Sequence, residues 1–361
     1  MDKPVVSVMI PVYDADDSLL ERALSSVFNQ TLADWELVVV DDGSKNGCVE
    51  RIPAKYLTDK RVRIVRQENQ GLIGALNTGI SESQGEYFYI IAQDDYMHLQ
   101  TLEYCVKTLE QEGADLCVFS GYRQTKPDVP AYCDLGEFGN IPRQVLSVGD
   151  MHGANAARYG ECFRRLNGDA WGHFARTSLV KEVHKIWPIY ESNARLHLMM
   201  RMARKWVDST ASLYYYNASN PASLSKRPIN AQLVKRASLD FEALCEIYKN
   251  ERNDQTSLPM WEGVDKWCIL RGAKILVNTF RRCNGKSDTP ANRECLAAIA
   301  QMLMVIKARG ALPIRKINLR LYLIYRWIMF RYGKPEYQRI TEGLLSGHFF
   351  DGLEYRNDHV I

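Results

Sequence analysis

The sequence predicts an α/β fold in which a doubly wound, mainly parallel sheet is followed by a C-terminal helical region. Over residues 1–120, short β-branched runs alternate with amphipathic helical stripes, which is typical of a sheet with helices on both faces. Three of the predicted strands end in polar clusters. From residue 230 onward, the apolar residues follow an almost wholly helical spacing. Together these observations predict two regions of different architecture.

The predicted elements of the first 120 residues follow one another in a regular order. The first strand covers residues 5–10 (VVSVMI), a β-branched run that ends at Pro11, as expected of a buried parallel strand. A helical stripe follows over residues 18–29, with Ser18 as its N-cap. Further strands are predicted at 37–40, 62–65, 87–91 and 115–119, and further helices at 72–80 and 101–111.

Polar residues directly follow three of these strands. The clusters are Pro11-Val12-Tyr13, Asp41-Asp42-Gly43-Ser44 and Gln93-Asp94-Asp95. Ligands of doubly wound sheets bind beyond the carboxyl ends of the strands. We therefore expect the three clusters to line one crevice, which makes them the strongest functional signal in the chain.

The remainder of the chain divides into a loop-rich part and a helical part. Residues 120–170 are rich in Gly, Pro, Asn and aromatic residues, which fits either loops around a site or a surface insertion. Apolar stripes then predict helices at 233–248, 261–280, 292–307 and 319–330. Between residues 307 and 339, nine basic side chains stand against one acidic one.

Residues 319–330 (LRLYLIYRWIMF) mix basic residues with aliphatic and aromatic ones, a composition that fits three interpretations. They could form an interfacial helix on an anionic membrane, a helix packed against a second copy of the chain, or a solvated face. The long aliphatic side chains and the net charge of only +3 argue against nucleic acid as a partner.

Bulk composition excludes several other classes of protein. The N-terminal sequence MDKPVVSVMI indicates a strand rather than a signal peptide, and no apolar run reaches the roughly 20 residues that span a bilayer. The nine cysteines are scattered without a CxxC pair, which suggests reduced thiols. We therefore expect a cytoplasmic protein, peripheral on the inner face of the plasma membrane if the 319–330 helix binds lipid.

The acidic clusters suit a nucleotide diphosphate and its cation. Mg²⁺ and Mn²⁺ take one or two protein carboxylates together with phosphate oxygens, and Asp94 and Asp95 supply such ligands where the chain turns. Asp41 directly follows three valines and would accept a hydrogen bond from an N–H of the base. Ordinary turn or capping chemistry is the alternative for both clusters.

Four segments together resemble a known family. SVMIPVYD, ELVVVDDGS, ENQGLIGALNTGI and IIAQDDY are similar, in order and spacing, to the family-two glycosyltransferases of the GT-A fold. The resemblance covers residues 5–228 and continues through FARTSLV (174–180) and LYYYNASNPASLS (213–225). The expected domains are a GT-A domain at 1–229, with a donor half (1–120) and an acceptor half (121–229), and a helical domain at 230–361.

The resemblance implies a role for each matching residue. The base pocket would consist of Pro11, Val12 and Tyr13, and Asp41 would read the base, most often uracil in this family. Asp95, together with Asp94, would hold Mn²⁺ or Mg²⁺. The remaining implied nucleotide contacts are Gly43, Ser44, Gly71, Asn77, Gln93 and Asp94, and the residues expected to close over the diphosphate are Ser223, Ser225 and Lys226.

The chain departs from the family's pattern at three places. The helix that commonly carries ARN reads Ala75-Leu76-Asn77, and Ala92 stands where the strand-end motif commonly has an additional Asp. The metal site therefore depends on Asp94 and Asp95 alone. The third departure concerns the general base, usually a carboxylate in a Glu-Asp pair; the matching pair here is Glu191-Ser192, and another register places Ala194-Arg195 there.

Candidate residues for catalysis and for the acceptor lie in the acceptor half. Glu191 is the first candidate for the base that deprotonates the acceptor hydroxyl, and Asp169 is the second. The alternative is that Glu191 is a surface residue without a role in catalysis. Trp171 and His173 precede the FARTSLV segment, interpreted as a strand, and are expected to face the acceptor unless they pack in the core.

The resemblance thus implies an inverting, metal-assisted hexosyl- or N-acetylhexosaminyltransferase. It would move a sugar from a nucleotide diphosphate donor, expected to be a UDP-sugar, to a glycan, glycolipid or glycoprotein acceptor in bacterial polysaccharide biosynthesis or protein glycosylation. Because Glu191-Ser192 lacks the second acid, a catalytically weak, nucleotide-sugar-binding partner subunit of a glycosylation complex is the alternative. A sugar nucleotidyltransferase is set aside because PVYDADD lacks a Gly-rich, basic phosphate loop.

Overall fold

The computed structural model describes residues 3–124, 135–157, 159, 171–187, 193–221, 243, 246–247, 254–257 and 260. They belong to two compact units. The first contains the described residues of 3–150 and 171–221, and the second contains those of 151–159 and 243–260. The domain boundary at residue 229 stays a prediction.

The first unit is built from nine described strands and six described α-helices. The strands are β1 (Val6–Val12), β2 (Trp35–Asp41), β3 (Val62–Arg66), β4 (Tyr87–Ile90), β5 (Tyr96–Met97), β6 (Leu116–Gln124), β7 (Arg143–Leu146), β8 (His173–Arg176) and β9 (Trp206–Asn217). The helices are α1 (Asp17–Phe28), α2 (Ala54–Leu57), α3 (Gly71–Glu82), α4 (Thr101–Glu112), α5 (Thr177–Ile186) and α6 (Asn193–Met202).

The described strands form one mixed sheet in the order β3-β2-β1-β4-β8-β6-β9-β5, with β7 also beside β9. The four strands β3, β2, β1 and β4 are mutually parallel, so their carboxyl ends meet at one edge of the sheet. β8 then joins β4 and β6 in antiparallel orientation, and β9 runs parallel to β6. The predicted doubly wound α/β fold is therefore confirmed, with its parallel part in the donor half.

Helices cover the parallel strands because the strands are apolar on both faces. All seven residues of β2 are buried, as are Val8 and Ile10 of β1. Leu20 and Leu24 of α1 pack in the same cluster as these strands. Each such side chain contributes about 1.5–3 kcal/mol when fully buried, which favours long apolar strands in the centre of the sheet.

Three predicted element boundaries are wrong. The first strand does not end at Pro11, since β1 runs through Pro11 to Val12. The N-cap of α1 is Asp16 rather than Ser18, because Asp16 Oδ1 accepts hydrogen bonds from the backbone N–H groups of Ser18 (3.0 Å) and Leu19 (3.1 Å). The FARTSLV segment is not one strand, since β8 ends at Arg176 and α5 begins at Thr177. The hydroxyl of Thr177 donates to the Gly85 carbonyl oxygen at 2.7 Å, which anchors the start of α5.

The segment interpreted as loops at 120–170 contributes to the sheet in its described parts. β6 runs on to Gln124, and β7 pairs antiparallel with β9. The helices predicted at 261–280, 292–307 and 319–330 lie outside the described residues, as does nearly all of the one at 233–248. No helix among the described residues has the length and apolar character that a membrane crossing requires.

Helix α6 carries a buried histidine that makes stability depend on pH. Burial lowers the pKa of His197 well below its usual value. Below about pH 6.5, His197 binds a proton in the unfolded chain but not in the folded chain. The free energy of unfolding is therefore highest above that pH and decreases as the pH falls. We expect a loss of up to about 1.4 kcal/mol per pH unit.

The measurement is urea unfolding of wild type and His197→Asn at pH 7.5 and 5.5. Burial also lowers the pKa of His184 on α5. The informative quantity is therefore the difference between the two proteins in the stability lost on acidification. The variant should lose less stability on acidification than the wild type does. Equal losses in both proteins would contradict this role for His197.

Candidate active site

The carboxyl ends of β1 and β4 are joined by a side-chain amide. The backbone N–H of Tyr13 donates to Gln93 Oε1 at 2.8 Å, and Gln93 Nε2 donates to the Tyr13 carbonyl oxygen at 3.2 Å. The Tyr13 side chain is 40% exposed beside this junction. Two of the three polar clusters therefore meet, as expected from their places at the ends of parallel strands.

A second junction ties the end of β1 to the end of β2. Asp14 has a left-handed backbone (φ 44°), a conformation that Asp tolerates better than most residues. Its backbone N–H donates to Ser44 Oγ at 3.1 Å. Its Oδ1 accepts from the backbone N–H groups of Lys45 (2.7 Å) and Asn46 (3.0 Å). The cluster at the end of β2 is thereby held against the cluster at the end of β1.

Asp41 ends β2 opposite Val12 of β1 and is 5% exposed. Its Oδ1 accepts a hydrogen bond from the Ser44 backbone N–H at 2.9 Å. Its Oδ2 lies 4.0 Å from Arg66 Nε, and Arg66 also pairs with Glu50. The contacts orient the Asp41 carboxylate at the strand end, where it could accept a hydrogen bond from a ligand.

Gly43, in the turn after β2, occupies a position that only glycine fits well. Its φ is +74°, and an added Cβ would lie 3.0 Å from the backbone nitrogen of Asn69 and 3.3 Å from the carbonyl oxygen of Gln67. The turn after β2 therefore packs backbone to backbone against the turn that leads into α3.

Asp42 holds that second turn from its buried position. Its Oδ1 accepts from Gln67 Nε2 at 2.7 Å and from the Gln70 backbone N–H at 2.8 Å. Gly71 begins α3 directly after this turn with a φ of +74°, and Asn77 lies half-buried one and a half turns further along the helix. The arrangement places the start of α3 beside the ends of β1 and β2.

Asp95 is 1% exposed, and both of its carboxylate oxygens accept hydrogen bonds from β9. The Tyr214 hydroxyl donates to Oδ2 at 2.6 Å, and the Asn217 backbone N–H donates to Oδ1 at 2.7 Å. Burial, followed by the neighbouring charge of Asp94, raises the pKa of Asp95 to about 7. Burial also raises the pKa of Tyr214 well above its ordinary value, so this hydroxyl remains a donor.

Asp94 is only partly buried and has a different set of contacts. Its Oδ2 accepts from Asn220 Nδ2 at 2.6 Å, and its carbonyl oxygen accepts from Arg22 Nη2 at 2.8 Å. The guanidinium of Arg22 lies 4.7 Å from the centre of the Tyr96 ring. Within the described part of the chain, Asp94 Oδ1 has no hydrogen-bond donor, so this oxygen is available to a ligand.

The carboxylates fit a divalent cation that also binds phosphate. No group of three or more His, Cys, Asp or Glu side chains among the described residues could enclose a cation without other ligands. Mg²⁺ and Mn²⁺ need only one or two protein carboxylates when phosphate oxygens and water complete the shell. Asp94 Oδ1 could supply one such ligand at the strand end, whereas both oxygens of Asp95 are already hydrogen-bonded.

An aromatic stack adjoins the Asp94-Asp95 turn. Trp171 lies parallel to Tyr214 (5.5 Å between ring centres) and to Tyr216 (5.9 Å). Because the Tyr214 hydroxyl holds Asp95, the stack and the acidic turn form one structure. His173 is instead 4% exposed within β8, opposite Val118 of β6. The acceptor roles of Trp171 and His173 stay predictions.

Five predicted site residues lie outside the described residues: Glu191, Asp169, Ser223, Ser225 and Lys226. The alternative register for the base falls on described residues, and Arg195 there is fully buried. Its guanidinium donates to the carbonyl oxygens of Val180 (3.2 Å) and Trp187 (3.1 Å), which fastens α6 to α5 and the chain that follows it. Arg195 thus has a structural role.

A cavity of about 560 Å³ lies at the opposite edge of the sheet. Its lining includes Lys3, Glu86, Arg176 and Lys181, which surround the amino ends of β1 and β4. Ligands of doubly wound sheets bind at the carboxyl ends of the strands, so this cavity is separate from the candidate site.

Comparisons with known proteins identify the family. Residues 7–147 match the family model described as glycosyl transferase family 2. The chain is 32% identical over 294 residues to glycosyltransferase GlyG of Streptococcus pneumoniae, a match that covers 79% of this chain and 87% of that protein. The chain belongs to glycosyltransferase family 2.

Two further comparisons concern a relative in sequence and a solved structure of similar fold. It is 33% identical over 145 residues to the chondroitin synthase of Pasteurella multocida, which covers 40% of this chain but 15% of that enzyme. Its fold is similar to that of Staphylococcus aureus TarS residues 1–349 in complex with UDP-GlcNAc. That similarity has a TM-score of 0.65 at 16% identity and covers 91% and 92% of the two chains. The predicted GT-A fold is confirmed.

Three residues that shape the site of this glycosyltransferase were not predicted as site residues: Asp14, Arg22 and Asn220. Asp14 directly follows the first predicted cluster, and a short acidic residue at a turn is a signal for backbone capping. No local signal pointed to Arg22 or Asn220. Each reaches Asp94 from an element distant in sequence.

Proposed function

We propose that this glycosyltransferase moves a sugar from a UDP-sugar to a glycan, glycolipid or glycoprotein acceptor in an inverting, metal-assisted reaction. The observation that carries the proposal is the junction of three strand ends: Tyr13 pairs with Gln93, and Asp14 pairs with Ser44. The junction gathers a half-exposed aromatic ring, the Asp41 carboxylate and the Asp94 carboxylate at the edge where doubly wound sheets bind ligands.

The uracil base is assigned to Tyr13 and Asp41. The exposed Tyr13 ring offers a face for stacking, and its backbone is held on both sides by Gln93. Asp41 Oδ1 is satisfied by Ser44, so its other oxygen is the one that would accept the N–H of uracil. A base such as cytosine presents no N–H at the equivalent ring position, which gives this contact a role in selectivity.

The diphosphate is assigned to the Asp94 end of the site. A divalent cation on Asp94 would neutralise the charge that develops on the departing diphosphate. Asp95 supports this arrangement from beneath, because Tyr214 and Asn217 hold its carboxylate and thereby the turn that carries Asp94. The Arg22 guanidinium holds the carbonyl oxygen of Asp94 on the other side.

Transfer itself requires a base for the acceptor. In an inverting displacement the acceptor oxygen bonds to the anomeric carbon while the bond from that carbon to the diphosphate oxygen breaks, and the hydroxyl proton passes to the base. We assign the base to Glu191 and keep Asp169 as the alternative. Trp171, stacked beside the acidic turn, would pack against a face of the acceptor sugar.

The test of the donor assignment is nucleotide binding. Calorimetry should show micromolar-to-millimolar binding of UDP, and Asp41→Ala should weaken binding of both uridine and UDP by about 10-fold, since a hydrogen bond to a charged group contributes about 1.5–3 kcal/mol. The matched control is Asp59→Ala, which removes a partly buried aspartate near the amino end of β3. Undiminished uridine binding by Asp41→Ala would disprove the base contact.

One observation supports a second candidate function, that of a partner subunit that binds nucleotide sugar without catalysis. Ser192 stands where the family commonly has the second acid of the Glu-Asp pair, and a chain without an effective base would bind nucleotide sugar without turnover. A screen of nucleotide sugars with added Mn²⁺ separates the two functions. Slow hydrolysis of one donor supports the enzyme, whereas binding of that donor without any hydrolysis supports the partner subunit.

A further inference from the structure

The four residues 217–220 (Asn-Ala-Ser-Asn) form a tight turn at the end of β9, which we call the β9 turn. Asn217 Oδ1 accepts from the backbone N–H (3.3 Å) and the hydroxyl (2.6 Å) of Ser219. The Ala218 backbone N–H donates to the carbonyl oxygen of Gln124 at 2.9 Å, which fastens the turn to the end of β6. The β9 turn is therefore held by its own side chains and by the neighbouring strand.

The β9 turn contacts both carboxylates of the acidic pair, but in two different ways. A backbone N–H, that of Asn217, donates to the buried Asp95. A side-chain amide, that of Asn220, donates to Asp94 Oδ2 at 2.6 Å in a partly buried position. The first contact is available to any residue except proline at position 217, whereas the second depends on the chemistry of the side chain at position 220.

The contact from Asn220 limits how Asp94 can present its oxygens. The terminal torsion of an aspartate is broad and roughly two-fold, so an unrestrained carboxylate turns over a wide range. With Oδ2 engaged by Asn220, Oδ1 is directed away from Asn220. Hydrogen bonds of this kind to a metal-binding carboxylate set its direction and strength as a ligand.

We propose that Asn220 is a positioning residue that orients Asp94 toward the cation of the metal-bound nucleotide diphosphate. The inference rests on the proposed function, since it assumes a donor whose diphosphate carries a divalent cation. Loss of a hydrogen bond to a metal ligand typically weakens metal affinity by about 10- to 100-fold. Asn220 should therefore determine how much Mn²⁺ strengthens UDP binding, while binding of uridine stays unchanged.

Substitutions at this position should act in opposite directions. Asn220→Ala removes the donor, so UDP binding in EDTA should stay near wild type and the gain on adding Mn²⁺ should shrink about 10-fold or more. Asn220→Asp places a second carboxylate beside Asp94. Like charges then weaken UDP binding in EDTA, while with Mn²⁺ the new carboxylate becomes a ligand and the gain increases.

The experiment is calorimetry of UDP and of uridine, in Mn²⁺ and in EDTA, on the full chain. Ser219→Ala is the matched control, because its hydroxyl supports the same turn without touching either carboxylate. It should keep the wild-type gain from Mn²⁺. Thermal unfolding of each variant shows that it is folded, and Asn220→Ser provides a second small side chain if Asn220→Ala does not fold.

Distinct results would overturn the proposal. A full Mn²⁺ gain in Asn220→Ala, or equal losses in Asn220→Ala and Ser219→Ala, would show that the amide does not orient Asp94. UDP binding by the wild type without any Mn²⁺ effect would also overturn it, yet leave nucleotide binding intact. Absence of UDP binding by the wild type would instead count against the proposed function itself.

Discussion

Replacing Asp94 with alanine is expected to abolish the effect of Mn²⁺ on UDP binding and to slow donor turnover by about 10²–10³-fold. The reason is that a cation acting as a Lewis acid contributes several kcal/mol to the transition state, and each 1.4 kcal/mol is a factor of ten in rate. Asp94 carries the carboxylate oxygen of the pair that has no protein donor within the described residues. The measurements are calorimetry with and without Mn²⁺ and the rate of UDP release.

Asp95→Asn provides the comparison that distinguishes the two acids. An asparagine oxygen can accept from the Asn217 N–H while its NH₂ group donates to the Tyr214 hydroxyl oxygen, so the turn should survive and the Mn²⁺ effect should largely remain. If Asp94→Ala keeps the Mn²⁺ effect and Asp95→Asn loses it, the cation belongs on Asp95, as the family resemblance implies.

Glu191→Gln is expected to slow sugar transfer by about 10²–10⁴-fold while leaving UDP binding unchanged. The substitution keeps the shape of the side chain and removes its ability to take a proton, and loss of a general base has an effect of this size. The measurement is UDP release from the UDP-sugar that the wild type turns over fastest, with calorimetry of UDP as the readout for donor binding.

Asp169→Asn is the paired variant for this experiment. It should release UDP at a rate near that of the wild type if Glu191 is the base. If Glu191→Gln releases UDP at a rate near that of the wild type and Asp169→Asn releases it slowly, then Asp169 is the base. Two fast variants would indicate a reaction that needs neither carboxylate.

Sequence pattern was sufficient for the donor half because its elements are locally encoded. The β-branched runs of β1 and β2 are typical of buried strands. The apolar residues of α3 follow the spacing of a helix. The boundaries of elements were predicted less well than the elements themselves. Asp16, not Ser18, caps α1, and Thr177 starts a helix inside a segment interpreted as a strand.

The convergence of the polar clusters could also be anticipated, because parallel strands end at the same edge of a sheet. The side-chain pairs that hold the clusters together could not. The pairing of Tyr13 with Gln93 spans 80 residues, and that of Asp14 with Ser44 spans 30. Each depends on the final spacing of two strands, which a linear pattern does not specify.

The sequence by itself determined the fold class, the family and the set of residues at the strand ends, since these depend on local pattern and on motifs in order. Only the tertiary structure decided how Asp94 and Asp95 differ. Their surroundings come from β9 and the turn after it, 119 to 126 residues further along the chain, where Tyr214 and Asn217 enclose one acid and Asn220 contacts the other. Two adjacent acids are alike in sequence, and burial and hydrogen bonding from a distant strand make one structural and leave the other open to a ligand.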